Sequence, residues 1–150
     1  MDLLLWRHAE AEDPGRGGDL ERALTARGRA QAERVAAWLA ERLPGDARVL
    51  VSPAKRCRQT AAPLGRTTAT VAAIGPGATA EALLAAAGWP GGDDETVVVV
   101  GHQPTIGQAA ALAMGAGGAD WQVKKGAVWW LKRGKGGSVR IHAVQPPDEL

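Results

Sequence analysis

Short apolar runs alternate along the chain with longer segments in which apolar residues recur at helical spacing. Leu3 to Trp6 is continuous apolar sequence, which predicts a strand buried on both faces, as in a parallel sheet. Residues 10–21 are polar and rich in Gly, Asp and Glu, and read as a loop. Thr25 is placed as a helix N-cap, and Ala32, Val35, Ala36, Leu39 and Leu43 then follow the helical period up to Pro44-Gly45. Val49 to Val51 predicts a second strand. Ser52-Pro53 reads as a cap with proline at the first helical position, opening a helix that runs to about Gly65. Thr68 to Ile74 is a weaker third strand, and Pro76-Gly77 a turn. An alanine-rich helix is expected from Thr79 to Ala87, then a loop over Pro90 to Asp94. Val97 to Val100 is the clearest strand, and Gly101-His102-Gln103-Pro104 leads from it into a helix ending near Gly115. After a loop over residues 116–126, Ala127 to Leu131 and Val139 to Val144 form two strands, with Lys132 to Ser138 as their turn. The tail after Pro146 is expected to be loose.

Strands alternating with helices predict an α/β fold. A mostly parallel central sheet would carry helices on both faces, with the last two strands added as an antiparallel edge hairpin. The 150 residues fit one domain, with no linker or internal repeat. With 45% hydrophobic and 23% charged residues, the chain has the balance of a globular protein. Phe and Tyr are absent, so the six Trp join Ala, Leu and Val in the interior. A net charge of +2 is too small to point to nucleic acid or a membrane surface. Lys124, Lys125, Lys132, Arg133, Lys135 and Arg140, with Trp129 and Trp130, read as a solvated hairpin whose charges protect an edge. Cys57 is the only cysteine, which excludes an internal disulfide and fits a packing residue. No apolar stretch approaches the roughly 20 residues of a membrane span, and the N-terminus does not read as a signal peptide. The expected compartment is the cytoplasm.

Candidate chemistry gathers at the ends of strands. Arg7 and His8 end the first, Arg56 lies one turn into the helix after the second, and His102 follows the Val97 to Val100 strand. Ligands of open parallel sheets bind outside the carboxyl ends of the strands, so these places converge. Histidine serves as nucleophile or base near neutral pH, and arginine forks onto phosphate oxygens. Together they suggest a site where His8 attacks phosphorus while Arg7 and Arg56 hold the phosphoryl group, and His102, if protonated, adds a donor. His142 reads as structural or exposed. The three histidines have no zinc-ligand spacing, and P-loop and GxSxG motifs are absent.

Four segments in order, Leu5-Trp6-Arg7-His8-Ala9-Glu10-Ala11, Arg22 to Gly28, Ser52 to Thr60 and Val100-Gly101-His102-Gln103-Pro104, resemble the histidine phosphatase superfamily, nearest its SixA-type phosphohistidine phosphatases. The resemblance covers most of the chain and implies a three-layer α/β/α fold over residues 1–150 without a cap domain. It implies that His8 forms a phosphohistidine intermediate that water hydrolyses, within a pocket of Arg7, Arg56 and His102. It also carries over Arg22 and the backbone of Gln103 as substrate contacts, and implies no metal or organic cofactor. Ala9 stands where the superfamily's name has glycine. Larger members place an acidic residue after the third strand, whereas Ile74-Gly75-Pro76-Gly77 has no carboxylate here and Glu81 lies a few residues on. An alkoxide needs a proton to leave; a protonated phosphoimidazole leaves as neutral imidazole. The expected substrate is therefore a phosphohistidine of a signalling or carrier protein. A small phosphomonoester, with Glu10, Glu12 or Glu81 as acid, and a non-catalytic phosphate- or phosphoprotein-binding module are the alternatives.

Overall fold

The computed structural model describes residues 1–92 and 94–150. The strands are β1 (Asp2–Arg7), β2 (Arg48–Val51), β3 (Ala69–Thr70), β4 (Thr96–Gly101), β5 (Val128–Arg133) and β6 (Val139–Gln145). The helices are α1 (Ala26–Ala40), α2 (Lys55–Ala61), α3 (Ala80–Ala87) and α4 (Thr105–Ala113). One sheet orders its strands β3-β2-β4-β1-β5-β6. β1 to β4 pair in parallel, while β5 runs antiparallel to β1 and β6 antiparallel to β5. This is the α/β sheet with an antiparallel edge hairpin that the pattern predicts.

The continuous apolar runs become central strands because both of their faces are covered. Leu3, Leu5, Val97 and Val99 pack with α3 and α4 on one side. Leu4, Trp6, Val98 and Val100 pack with α1 and α2 on the other. The alternation of the strand sends successive side chains to opposite layers.

The capping residues behave as their chemistry requires. Thr25 and Thr79 accept from the N–H groups of Gly28 and Ala82, three residues on, at 2.9 and 3.1 Å. Gly28 has a second role. A Cβ there would collide with the carbonyl oxygen of Glu10, so the glycine lets the loop after β1 lie against α1.

Four expectations are corrected. The third strand is only Ala69–Thr70, followed by a 3-10 turn over Ala72–Ile74; both strand residues are exposed, and Thr and Ala there bury no apolar face. Ser52-Pro53 does not open α2, which begins at Lys55; the Ser52 hydroxyl instead accepts from Ala54 N–H and engages His102. Residues 10–21 are not wholly irregular. Ala11 bridges Leu24, and Asp19–Glu21 form a 3-10 turn. The tail is held rather than loose: Pro147 is buried, and its carbonyl accepts from Arg34 Nε at 3.2 Å. The predicted loop over Pro90 to Asp94 includes Asp93, which lies outside the described residues. No helix among the described residues is long and apolar enough to cross a membrane.

Candidate active site

Parallel pairing places the ends of β1, β2 and β4 at one edge. Arg7 and Gly101, the last residues of β1 and β4, lie opposite each other. His8 N–H donates to Gly101 O at 3.0 Å, and Ser52 N–H to Val100 O at 3.1 Å. These backbone bonds bring residues far apart in sequence into one cluster. The rings of His8 and His102 meet edge to face, with centroids 5.4 Å apart. Arg56 enters from the first turn of α2 and donates from Nη2 to His102 Nδ1 at 3.3 Å.

A cavity of about 290 Å³ opens at this edge. Arg7, His8, Arg22, Arg56, His102 and Gln103 all line it, whereas the candidate acids Glu10, Glu12 and Glu81 do not. Asp19 and Lys125 line it too.

The hydrogen bonds determine the tautomers. His8 Nδ1 lies 2.7 Å from Ala9 O, a carbonyl that can only accept. Nδ1 therefore carries the proton, and Nε2 keeps its lone pair. Burial pushes the His8 pKa down to about 3; the bond to Ala9 opposes this, and the charges of His102, Arg56 and Arg7 reinforce it. His102 is 5% exposed, and its pKa is pushed down to about 4, mainly by burial and then by Arg56. Its Nδ1 accepts from Arg56, so its proton sits on Nε2 and is directed to Ser52 Oγ at 2.7 Å. His102 is thus neutral near pH 7.

Cations surround the two neutral rings. Arg7 Nη1 is anchored on Val123 O at 2.8 Å. Burial lowers its pKa, though a guanidinium remains charged. Arg56 is 4% exposed, and its two terminal nitrogens donate to Asp19 O at 2.7 Å and Asp19 Oδ2 at 3.1 Å. Arg22 Nη1 donates to Asp19 Oδ1 at 3.2 Å, and Arg22 Nε to Glu12 O at 2.7 Å. Among the described residues, the Nε groups of Arg7 and Arg56 find no hydrogen-bond partner and are buried. Such donors cost roughly 1–3 kcal/mol each while unpaired.

Asp19 and Lys125 are the members of the site that sequence reasoning missed. Asp19 sits three residues before Arg22, and that spacing was the available signal. Its burial opposes ionisation, but hydrogen bonds from Arg56 and Arg22 outweigh this and hold the carboxyl below its ordinary range. It is the one carboxylate lining the cavity among the described residues. Glu10 is turned away, accepting from Thr25 Oγ1 at 2.7 Å.

The remaining candidates fall elsewhere or serve the scaffold. Gln103 lines the cavity, yet both ends of its side chain are committed: Nε2 to Trp121 O at 3.0 Å and Oε1 to Gly107 N–H at 2.6 Å. Ala9 is buried, and no described residue other than glycine has positive φ, so alanine is unstrained where the superfamily's name has glycine. Cys57 is buried and its thiol is pushed up to about 12, which suits packing and not nucleophilic chemistry. His142 is exposed on β6, against the Trp130 ring.

The model of the histidine phosphatase superfamily, branch 1, matches residues 3–77. An uncharacterized protein of Picosynechococcus is 33% identical over 95% of this chain and 90% of its own. The protein histidine phosphatase SixA, solved with tungstate, superposes with a TM-score of 0.80 at 22% identity, covering 99% of each chain. A protein from Nakamurella multipartitia assigned as a SixA phosphohistidine phosphatase gives a TM-score of 0.73 at 29% identity, over 97% of this chain and 95% of its own.

Proposed function

The chain belongs to the histidine phosphatase superfamily, whose members are phosphatases, and on that premise we propose that it hydrolyses phosphohistidine on a protein, with His8 as the nucleophile. The observation that carries this reading is the His8 hydrogen bond. With Nδ1–H given to Ala9 O, the ring offers Nε2 as its unprotonated nitrogen, and its low pKa keeps it so at neutral pH. The phosphoryl oxygens are met by the guanidinium groups of Arg7 and Arg56, with Arg22 and Lys125 at the rim. An oxyanion within reach would also offer acceptors to buried N–H groups that have none.

The reaction runs in two displacements. His8 Nε2 forms a bond to phosphorus as the bond to the substrate imidazole breaks. That imidazole, already protonated on its other nitrogen, leaves neutral. Water then forms a bond to phosphorus, the bond to His8 breaks, and the water's proton is left on phosphate or solvent. His102 begins neutral; an anion beside it favours its protonation, which adds positive charge as the phosphoryl group is transferred.

The absence of a protonated carboxyl group among the described residues that line the cavity favours phosphohistidine over an alcohol ester. Asp19, the cavity's carboxylate among the described residues, is ionised by its two arginine partners and has no proton to donate at neutral pH. An alkoxide would leave without a carboxylic acid to protonate it, whereas imidazole needs none. The solved structures with this fold include phosphoserine and glucosyl-3-phosphoglycerate phosphatases, so leaving-group chemistry, not fold, must make this distinction.

Rapid quench of the enzyme with labelled phosphohistidine protein tests the nucleophile. An acid-labile, base-stable phosphoryl group should appear on His8 within the first turnover and be absent from His8→Ala. Turnover without label on His8 contradicts the assignment.

A further inference from the structure

A second concavity adjoins the phosphate pocket. It has a volume of about 410 Å³ and shares Gly77 with the first. Ala78, Pro104 and Leu112 give it an apolar floor between the start of α3 and the outer face of α4. Its charge is opposite to that of the neighbouring pocket. Glu81 and Asp120 are the only charged side chains that line it among the described residues, and neither forms an ion pair there. Asp120 is held in place, its Oδ1 accepting from Gln108 Nε2 at 2.6 Å. Glu81 lies in the first turn of α3, where a carboxylate also suits the helix dipole. Asp120 stands in a loop and has no such use.

A ligand spanning both concavities meets four cationic side chains and the single carboxylate of Asp19 at one end, and two carboxylates at the other. We propose that the second concavity is the subsite for the substrate's protein side, and that Glu81 and Asp120 select partners carrying Lys or Arg close to the phosphohistidine. This rests on the phosphohistidine reading. A free phosphate or a small phosphoester fills the first concavity alone. A basic residue near the phosphoryl group would also be repelled by Arg7, Arg22, Arg56 and Lys125, so an acidic wall placed next to them gives it a favourable position. Acidic residues at the same place would be repelled by the wall and drawn towards the pocket, in competition with the phosphoryl group.

The test uses two phosphohistidine peptides that differ only in Lys or Glu at the flanking positions. Exposed charge pairs of this kind are each worth a factor of up to about five. The Lys peptide should be preferred about ten-fold in kcat/KM at low salt, and the preference should shrink as salt screens it. In the double variant Glu81→Gln with Asp120→Asn, the ratio between peptides should fall towards one. Both substitutions are isosteric, and thermal melting reports whether the fold is kept. Equal turnover of the two peptides by the native protein overturns the proposal, as does an unchanged ratio in the folded double variant. Loss of phosphomonoester turnover in Glu81→Gln also overturns it, because Glu81 would then be a proton donor. Phosphoimidazole separates the two levels. Turnover of phosphoimidazole without peptide preference sinks the subsite and leaves the phosphohistidine reading standing; no turnover of phosphoimidazole or either peptide sinks both.

Discussion

Acid should destabilise this fold through His8 and His102. In the unfolded chain both titrate near 6.5. In the folded protein burial pushes them down to about 3 and about 4. Below the unfolded value the unfolded chain therefore binds protons that the native state refuses. Stability is fully present above about pH 6.5 and is lost as pH falls towards the two folded values. Each histidine contributes a slope of about 1.4 kcal/mol per pH unit, so about 2.5 kcal/mol each is lost by about pH 4.5. The pair together loses about 5 kcal/mol, a large share of the roughly 5–15 kcal/mol that stabilises a typical domain. Urea denaturation near pH 7 and near pH 4.5 measures the difference. The double variant His8→Asn with His102→Gln should lose most of this pH dependence, because neither amide titrates. A double variant as acid-sensitive as the native protein refutes the reasoning and moves the effect to the carboxylates.

Three further outcomes follow from the geometry. Binding of inorganic sulfate, which carries no titrating proton near pH 7, should take up protons, because His102 starts neutral and gains charge beside an anion; calorimetry in two buffers of different ionisation enthalpy reads this, and equal heats contradict it. Arg56→Lys should lower kcat/KM by roughly 100-fold, since one ammonium cannot reproduce the fork that reaches Asp19 through both terminal nitrogens; a loss under about three-fold would mean that charge alone suffices. Gly28→Ala should cost about 1–3 kcal/mol in urea denaturation and reduce activity, because its Cβ would push the Glu10 backbone and with it the loop carrying His8; a neutral effect would show that the loop is free to move.

The central strands were legible because burial on both faces writes an unbroken apolar run, as in Leu3 to Trp6 and Val97 to Val100. The edge strand β3 was less so, because exposed Ala69 and Thr70 leave no such mark. Arg7, His8, Arg56 and His102 could be found because each stands at or just after a recognisable strand end. Asp19 could not be found that way. Its partner Arg56 is distant in sequence, and their pairing arises only when the loop before α1 folds over α2. The local sequence of Ser52 predicts only a cap. The hydroxyl does bond a nearby N–H, but its bond to His102 depends on β2 and β4 lying side by side. Protonation was equally hidden. Histidine beside arginine signals a phosphate site, whereas the neutral tautomers follow from burial and from the acceptors at Ala9 and Ser52.

The most direct test of the account compares phosphate release from a phosphohistidine protein and from an alkyl phosphomonoester, using native protein and His8→Ala in parallel. Faster release from phosphohistidine, abolished in His8→Ala, is the predicted result. Faster release from the ester, or turnover that survives in His8→Ala, would contradict it.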